Sequence, residues 1–245
     1  MKDSAKTIIF ATVLGVVCAG LLALASSALK PYQEANKLAE KWRNVYDVLG
    51  VKYDPDANSH ELLKLVHSKD NPAGVVFEHT LHQADGNMMF YTYDNPADGR
   101  LYAFEFSGMG LWDKIKGLLC LRSDLQTVYN ISFYEQTETP GLGGEIAAPP
   151  VEGKKTFRGQ FPGKTIDGPG GPGIRVTKPD MASGPNQVDG ISAATLTGDK
   201  VEEMINKVSR KILDNKSAII AASGGGAEAP AAISALATGK EAGHE

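Results

Sequence analysis

From Thr7 to Leu29 the chain runs TIIFATVLGVVCAGLLALASSAL, without one charged side chain. As a helix rising about 1.5 Å per residue, this stretch is long enough to cross a hydrocarbon core about 30 Å thick. Whatever follows must fold as a domain tethered at its N-terminal end. A cleaved signal peptide is the competing reading, with ALASS as the cleavage site. The run is too long for an ordinary signal core, however, and Asp3 sits among the lysines of the leader. We read residues 1–6 as leader and 7–29 as a retained transmembrane helix. Lys2 and Lys6 precede the span while Lys30, Lys37, Lys41 and Arg43 follow it, so counting basic residues does not orient it.

Beyond the span, Leu38, Trp42, Val45 and Leu49 recur at spacings of four, three and four, which predicts a connecting helix over 30–50 ending at Gly50. A short helix is expected over Ser59–His67 with Ser59 as its cap. The pattern then turns to strands. NMMFYTY (Asn87–Tyr93) and RLYAFEF (Arg100–Phe106) flank the turn composition DNPADG, and LLCLR with TVYNISFYEQ (Thr127–Gln136) flanks SDLQ as a second hairpin. Shorter strands are expected at Lys164–Ile166 and Ile174–Thr177, with GPGGPG (Gly168–Gly173) between them as loop. Val201, Met204, Ile205, Val208 and Ile212 mark one face of a closing helix over Asp199–Asn215, with Asp199 and Glu202 as its capping box. These elements predict an α+β fold, an antiparallel sheet with peripheral helices, over residues 51–220. Residues 221–245, rich in Gly, Ala and charge, are expected to be a mobile tail.

The formal net charge of −4 gives no basic surface for nucleic acid. Glycine patterns of the Rossmann or P-loop kind are missing from the sequence. With two cysteines so far apart, Cys18 and Cys120, a zinc or iron–sulfur site within the chain is not expected. EHTLH places His79 and His82 three apart, a poor metal pair on a strand, so packing or surface roles are expected for both.

Three loops hold the residues that can do chemistry. SGMGLW (Ser107–Trp112) and TETPGLGGE (Thr137–Glu145) each follow a strand. Their glycines let backbone approach a ligand closely, and Leu111, Trp112 and Leu142 stand at the tips. Taken singly such loops are ordinary turns; together they suit a flat aromatic ligand. The third loop, VDGISAATLTGDK, leads into the closing helix. Thr195 and Thr197 fall just before the predicted helix start, where unpaired N–H groups favour a phosphate, and Ala193 and Ala194 leave room beside the hydroxyl.

DGISAATLT resembles the flavinylation motif, in which FMN is attached through its phosphate to the threonine after an alanine; here that position is Thr195. GMGLWDKIKG and FYEQTETPGLGGE resemble two further stretches of the same family, the C subunit of the sodium-translocating NADH:quinone oxidoreductase. The likeness spans about residues 1–220. ETPGLG with the flavinylation motif alone would also suit the related G subunit of the Rnf electron-transport complex. One departure is Ala193, where the family usually has glycine. The resemblance implies a covalent FMN on Thr195 that relays electrons, with Asp189, Ser192, Ala193, Ala194 and Thr197 around the attachment. The backbone from Gly108 through Gly110, Leu111 and Trp112, and from Glu138 and Thr139 through Gly141, Leu142 and Gly143, would then line the flavin ring. It also implies a Mg-dependent flavin transferase using FAD, other membrane and flavin subunits of the same complex as partners, NADH bound by another subunit, and a single-pass protein of the bacterial inner membrane with its domain on the periplasmic side. The contrasting expectation is an anchored scaffold whose helix from Pro31 to Gly50 docks a partner, for which the threonine motif would be superfluous.

Overall fold

The computed structural model describes residues 2–67, 74–83 and 86–224. The chain forms two compact units, Met1–Ala39 and Glu40–Glu245. One helix, α1 (Lys2–Leu49), supplies all of the described first unit and opens the second. Pro31 lies inside α1 without ending it, so the expected anchor and connecting helix are one continuous element. In the first unit Ile8, Phe10, Leu14, Val17 and Leu21 are exposed, and the helix is long and apolar enough to cross a membrane.

The second unit is α+β. After α1 come α2 (Ser59–Leu63), β1 (Val66–His67), β2 (Val76–Leu81), β3 (Met88–Asn95), β4 (Gly99–Met109), β5 (Lys114–Leu121) and β6 (Val128–Glu135). Strands β2 to β6 form an antiparallel meander, each paired with the next, and β1 adds to β2 in parallel at the edge. Irregular chain follows, with β7 (Asp167–Gly168), β8 (Gly171–Pro172), β9 (Arg175–Thr177) and β10 (Gln187–Asp189). The unit closes with α3 (Thr195–Asp214) and α4 (Lys216–Gly224).

The burial of β4 follows from cover on both faces, which suits a near-continuous apolar run such as LYAFEF. Tyr102, Phe104 and Phe106 share one core with Val201, Met204, Ile205, Val208 and Ile212 of α3. On the other face the last turns of α1 bury Trp42, Val45, Tyr46 and Leu49. There Trp42 meets Tyr91 edge-on, with ring centroids 5.3 Å apart.

Several local expectations need correction. Asn58, not Ser59, caps α2: its side chain accepts from Glu61 N, and the Glu61 carboxylate accepts from Asn58 N in return. That helix stops at Leu63 because Val66–His67 is recruited as β1. Lys164–Ile166 is no strand; only Thr165 makes a bridge, to Thr127. The glycine run is not all loop, since Gly168 and Gly171 pair in the β7–β8 hairpin. Residues 221–224 of the expected tail belong to α4, and residues 225–245 lie outside the described residues. His79 is buried, with Nε2 2.8 Å from Thr92 Oγ1 on β3, while His82 Nδ1 lies 3.0 Å from Asn87 Oδ1 near the surface.

Candidate functional site

The helix α3 begins four residues earlier than the Asp199–Glu202 pattern suggests. Gly198 N donates to Ala194 O (3.0 Å), so the turn ahead of Asp199 is already helical. Glu202 is free for another task and accepts from Val176 N at 2.7 Å, tying α3 to β9. Thr195 therefore occupies the first helical position rather than a preceding loop, with its side chain exposed. Ala194 is the N-cap and makes no side-chain capping bond. A helix start leaves N–H groups unpaired, and most helices answer with Ser, Thr, Asp or Asn at this position. Here an alanine leaves them open to an outside acceptor, beside a hydroxyl that makes no hydrogen bond to another described residue.

Thr197 is a different kind of threonine. It is buried, and its Oγ1 donates to Glu138 Oε2 at 2.7 Å. Glu138, 4 % exposed, also accepts from Leu111 N (2.8 Å) and Trp112 N (3.2 Å) through Oε1. One carboxylate thus fastens the β4–β5 turn to the first turn of α3, and Trp112 Nε1 adds a bond to Thr139 Oγ1 at 3.1 Å. The glycines of these loops make room for this staple. A Cβ at Gly110 would strike Glu138 Oε1, and one at Gly143 would lie 2.5 Å from Thr197 Oγ1 and 2.8 Å from Glu138 Oε2. Gly143→Ala is expected to push these groups apart and destabilise the domain by about 1–3 kcal/mol. A melting temperature equal to that of the native chain would refute the close fit.

Around the staple lie apolar side chains with little cover. Trp112 is 67 % exposed, Met109 and Leu196 61 % each, Leu111 48 % and Leu142 40 %. Soluble surfaces rarely gather such side chains without a ligand or partner to cover them. Gly108, near the end of β4, instead presses against the Met204 side chain of α3.

Asp189 is the last residue of β10, just ahead of the loop that leads into α3. Its Oδ1 accepts from Met181 N (2.7 Å) and Ala182 N (2.8 Å), and its Oδ2 pairs with Lys155 Nζ at 2.8 Å. The hydrogen bond from Lys155 and those backbone N–H donors hold its carboxyl down at about 2. Its contribution to stability is present above the ordinary carboxylate value and is lost as pH falls towards about 2. Gln160 reinforces it, accepting from Asp189 N at 2.8 Å and donating to Asp189 O at 3.1 Å. Asp189, Ser192 and Gly141 line a cleft of about 440 Å³ together with Lys155 and Gln160. Neither Lys155 nor Gln160 belongs to any local motif, so their part was invisible in the sequence.

The loop also holds strain. Ala193 has φ +61°, a left-handed conformation that costs a residue with Cβ about 1–2 kcal/mol. Ala193→Gly is expected to stabilise the chain by about 0.5–1 kcal/mol, the relief exceeding glycine's entropic cost. Thermal unfolding of the variant checks this; a lower melting temperature would contradict it.

A family model described as FMN-binding domain matches residues 110–210, which contain Glu138 and Thr195. The chain is 30 % identical over 246 residues to the C subunit of the Na(+)-translocating NADH-quinone reductase of Yersinia pestis, covering 82 % of this chain and 86 % of that one. It is 28 % identical over 244 residues to the same subunit of Pseudomonas aeruginosa, covering 84 % and 91 %. The crystal structure of the corresponding subunit from Parabacteroides distasonis superposes with a TM-score of 0.58 at 24 % identity, over 76 % of this chain and 95 % of that chain, a likeness of fold.

Proposed function

This chain belongs to the family of the C subunit of the Na(+)-translocating NADH-quinone reductase, and from there we propose that it is a membrane-anchored flavoprotein subunit carrying FMN covalently on Thr195. Residues 7–29 are its anchor and 51–220 its flavin domain. It relays electrons inside the multisubunit complex and is not catalytically complete alone. The observation that carries this reading is the uncapped start of α3, with the exposed Thr195 at its first position and a bare apolar patch beside it.

The residues present suit the group. The open N–H groups of α3 would receive phosphate oxygens. Trp112, Leu111, Leu142 and Leu196 would cover a flat ring, and the Glu138 staple would fix the two loops that bear them. Asp189, clamped by Lys155 and Gln160, would orient the acceptor loop. FMN, when bound, supplies one-electron and two-electron carriage, and the protein sets its potential through hydrogen bonds, charge and burial.

Attachment is assigned to a separate flavin transferase that uses FAD and Mg²⁺. Thr195 would supply the hydroxyl oxygen that holds the FMN phosphate as an ester, giving up its proton, with AMP as the other product of FAD. The burial of Thr197 and its bond to Glu138 favour Thr195 over it for this role. Because such transferases act outside the cytoplasm, the domain is assigned to the periplasmic side of the inner membrane.

The reading is tested by co-producing the full chain with a flavin transferase and examining the denatured band under ultraviolet light. A fluorescent band is expected. A dark band, beside a control flavoprotein labelled in the same cells, would leave an anchored scaffold.

A further inference from the structure

Across the sheet from the α3 core, under the last turns of α1, lies a polar cluster that the flavin site does not use. Glu78 of β2 is 4 % exposed. Its Oε1 receives only a long bond from Tyr91 OH, 3.4 Å, and its Oε2 has no hydrogen-bond partner among the described residues. Glu105 of β4 is better served, with Lys41 Nζ of α1 at 2.7 Å and Tyr91 OH at 2.5 Å. Tyr91 of β3 thus bridges two carboxyl groups served by one ammonium. Trp42 packs against Tyr91, and its Nε1 is also buried without a partner among the described residues.

The buried Glu78, the half-buried Glu105 and one lysine leave one negative charge uncompensated. Such a charge is costly in a dry interior, and uptake of a proton removes it. The better-paired carboxyl keeps its charge, and the proton goes to the other. We infer that Glu78 is a proton-binding site built into the fold, held neutral beside the Lys41–Glu105 ion pair where α1 seats on the sheet. The neutral carboxyl supplies a donor at its unpaired oxygen, a role the ionised form lacks.

The groups that act on Glu78 come from each packed element. Burial raises its carboxyl to about 7; Lys41 from α1 opposes this, Glu105 from β4 adds to it, and the Tyr91 hydroxyl from β3 opposes it. The raised value fixes the sign of the linkage. The folded chain binds the proton more tightly than the unfolded chain, so this stabilisation is complete below the ordinary carboxylate value of 4.5. It is lost as pH rises through about 7, and above that the penalty is constant.

The test uses the full chain in detergent micelles, labelled with ¹³C at the glutamate side-chain carboxyl, and followed by NMR from about pH 5 to about pH 9. One glutamate resonance is expected to titrate near neutrality. It should vanish in Glu78→Gln and remain in Glu105→Gln with its midpoint moved down, since Glu105 adds to the raised value and Lys41 opposes it. If every glutamate of the native chain titrates in the ordinary acidic range, no such site exists. If the neutral resonance survives in Glu78→Gln, the proton resides elsewhere. The native titration decides the first point even if a variant fails to fold. In thermal unfolding, Glu78→Gln should gain stability relative to the native chain as pH rises from about 4.5 to about 7, and then run parallel to it. A constant offset across that range would also overturn the inference.

Discussion

Replacing Thr195 with valine is expected to remove all flavin that survives denaturation, while the domain stays folded. The side chain is exposed and makes no hydrogen bond to another described residue, so an isosteric loss of its hydroxyl should change stability by no more than about 0.5 kcal/mol. The matched control is Thr197→Val, only two residues on. That hydroxyl is buried and bonded to Glu138 at 2.7 Å, so its loss leaves a carboxylate oxygen short of a donor. A cost of about 1–3 kcal/mol is expected, with flavin still attached. The two variants should therefore separate in opposite directions, one losing flavin and keeping its melting temperature, the other the reverse. If Thr195→Val remained fluorescent after denaturation and Thr197→Val went dark, the assignment of the two threonines would be wrong.

The second large effect is expected at Glu138. Alanine there deprives Leu111 N, Trp112 N and Thr197 Oγ1 of their shared acceptor, and the loops that bear the apolar patch lose their common tie. Bonds to a charged acceptor are stronger than average, so a loss on the order of 3 kcal/mol is expected. Flavin bound to such a chain should sit in a looser, wetter site, with faster quenching by a soluble collisional quencher. Glu138→Gln keeps one oxygen for the two backbone donors and offers an amide to Thr197, so it should fall between. Native stability in Glu138→Ala would show that the staple carries little weight.

The contrast between these residues shows what the sequence could reveal. Thr195 could be singled out because its motif is local, a run of small residues leading into a helix whose apolar face is plain from Val201 to Ile212. Strands β3, β4 and β6 of the meander were legible for the same reason, each being a short aromatic run, whereas β5 was read only in its second half and β2 was not read at all. Glu138 could be suspected only as a member of its loop. Its partners lie 26, 27 and 59 residues away, and no spacing rule joins them. Lys155 and Gln160 were missed because their contacts to Asp189 are equally remote.

Misreadings arose where a local pattern had two possible uses. Asp199 and Glu202 have the spacing of a capping box, yet the chain is already helical four residues before, and Glu202 serves β9 instead. Ser59 is a good cap by type, but Asn58 holds the place because Glu61 answers it three residues on. The anchor at 7–29 and the connecting helix at 30–50 were read as two elements, whereas α1 runs through both. The parallel pairing of Val66–His67 with β2 depends on the chain returning from α2, which no two-residue segment announces.

The most direct measurement is the site of modification itself. The full chain, co-produced with a flavin transferase, is denatured and digested, and the peptide spanning the acceptor loop is fragmented in a mass spectrometer. The account predicts the mass of FMN on that peptide, with the fragment series placing it on Thr195. An adduct on Thr197 or Ser192, or an unmodified peptide beside a labelled control, would contradict it.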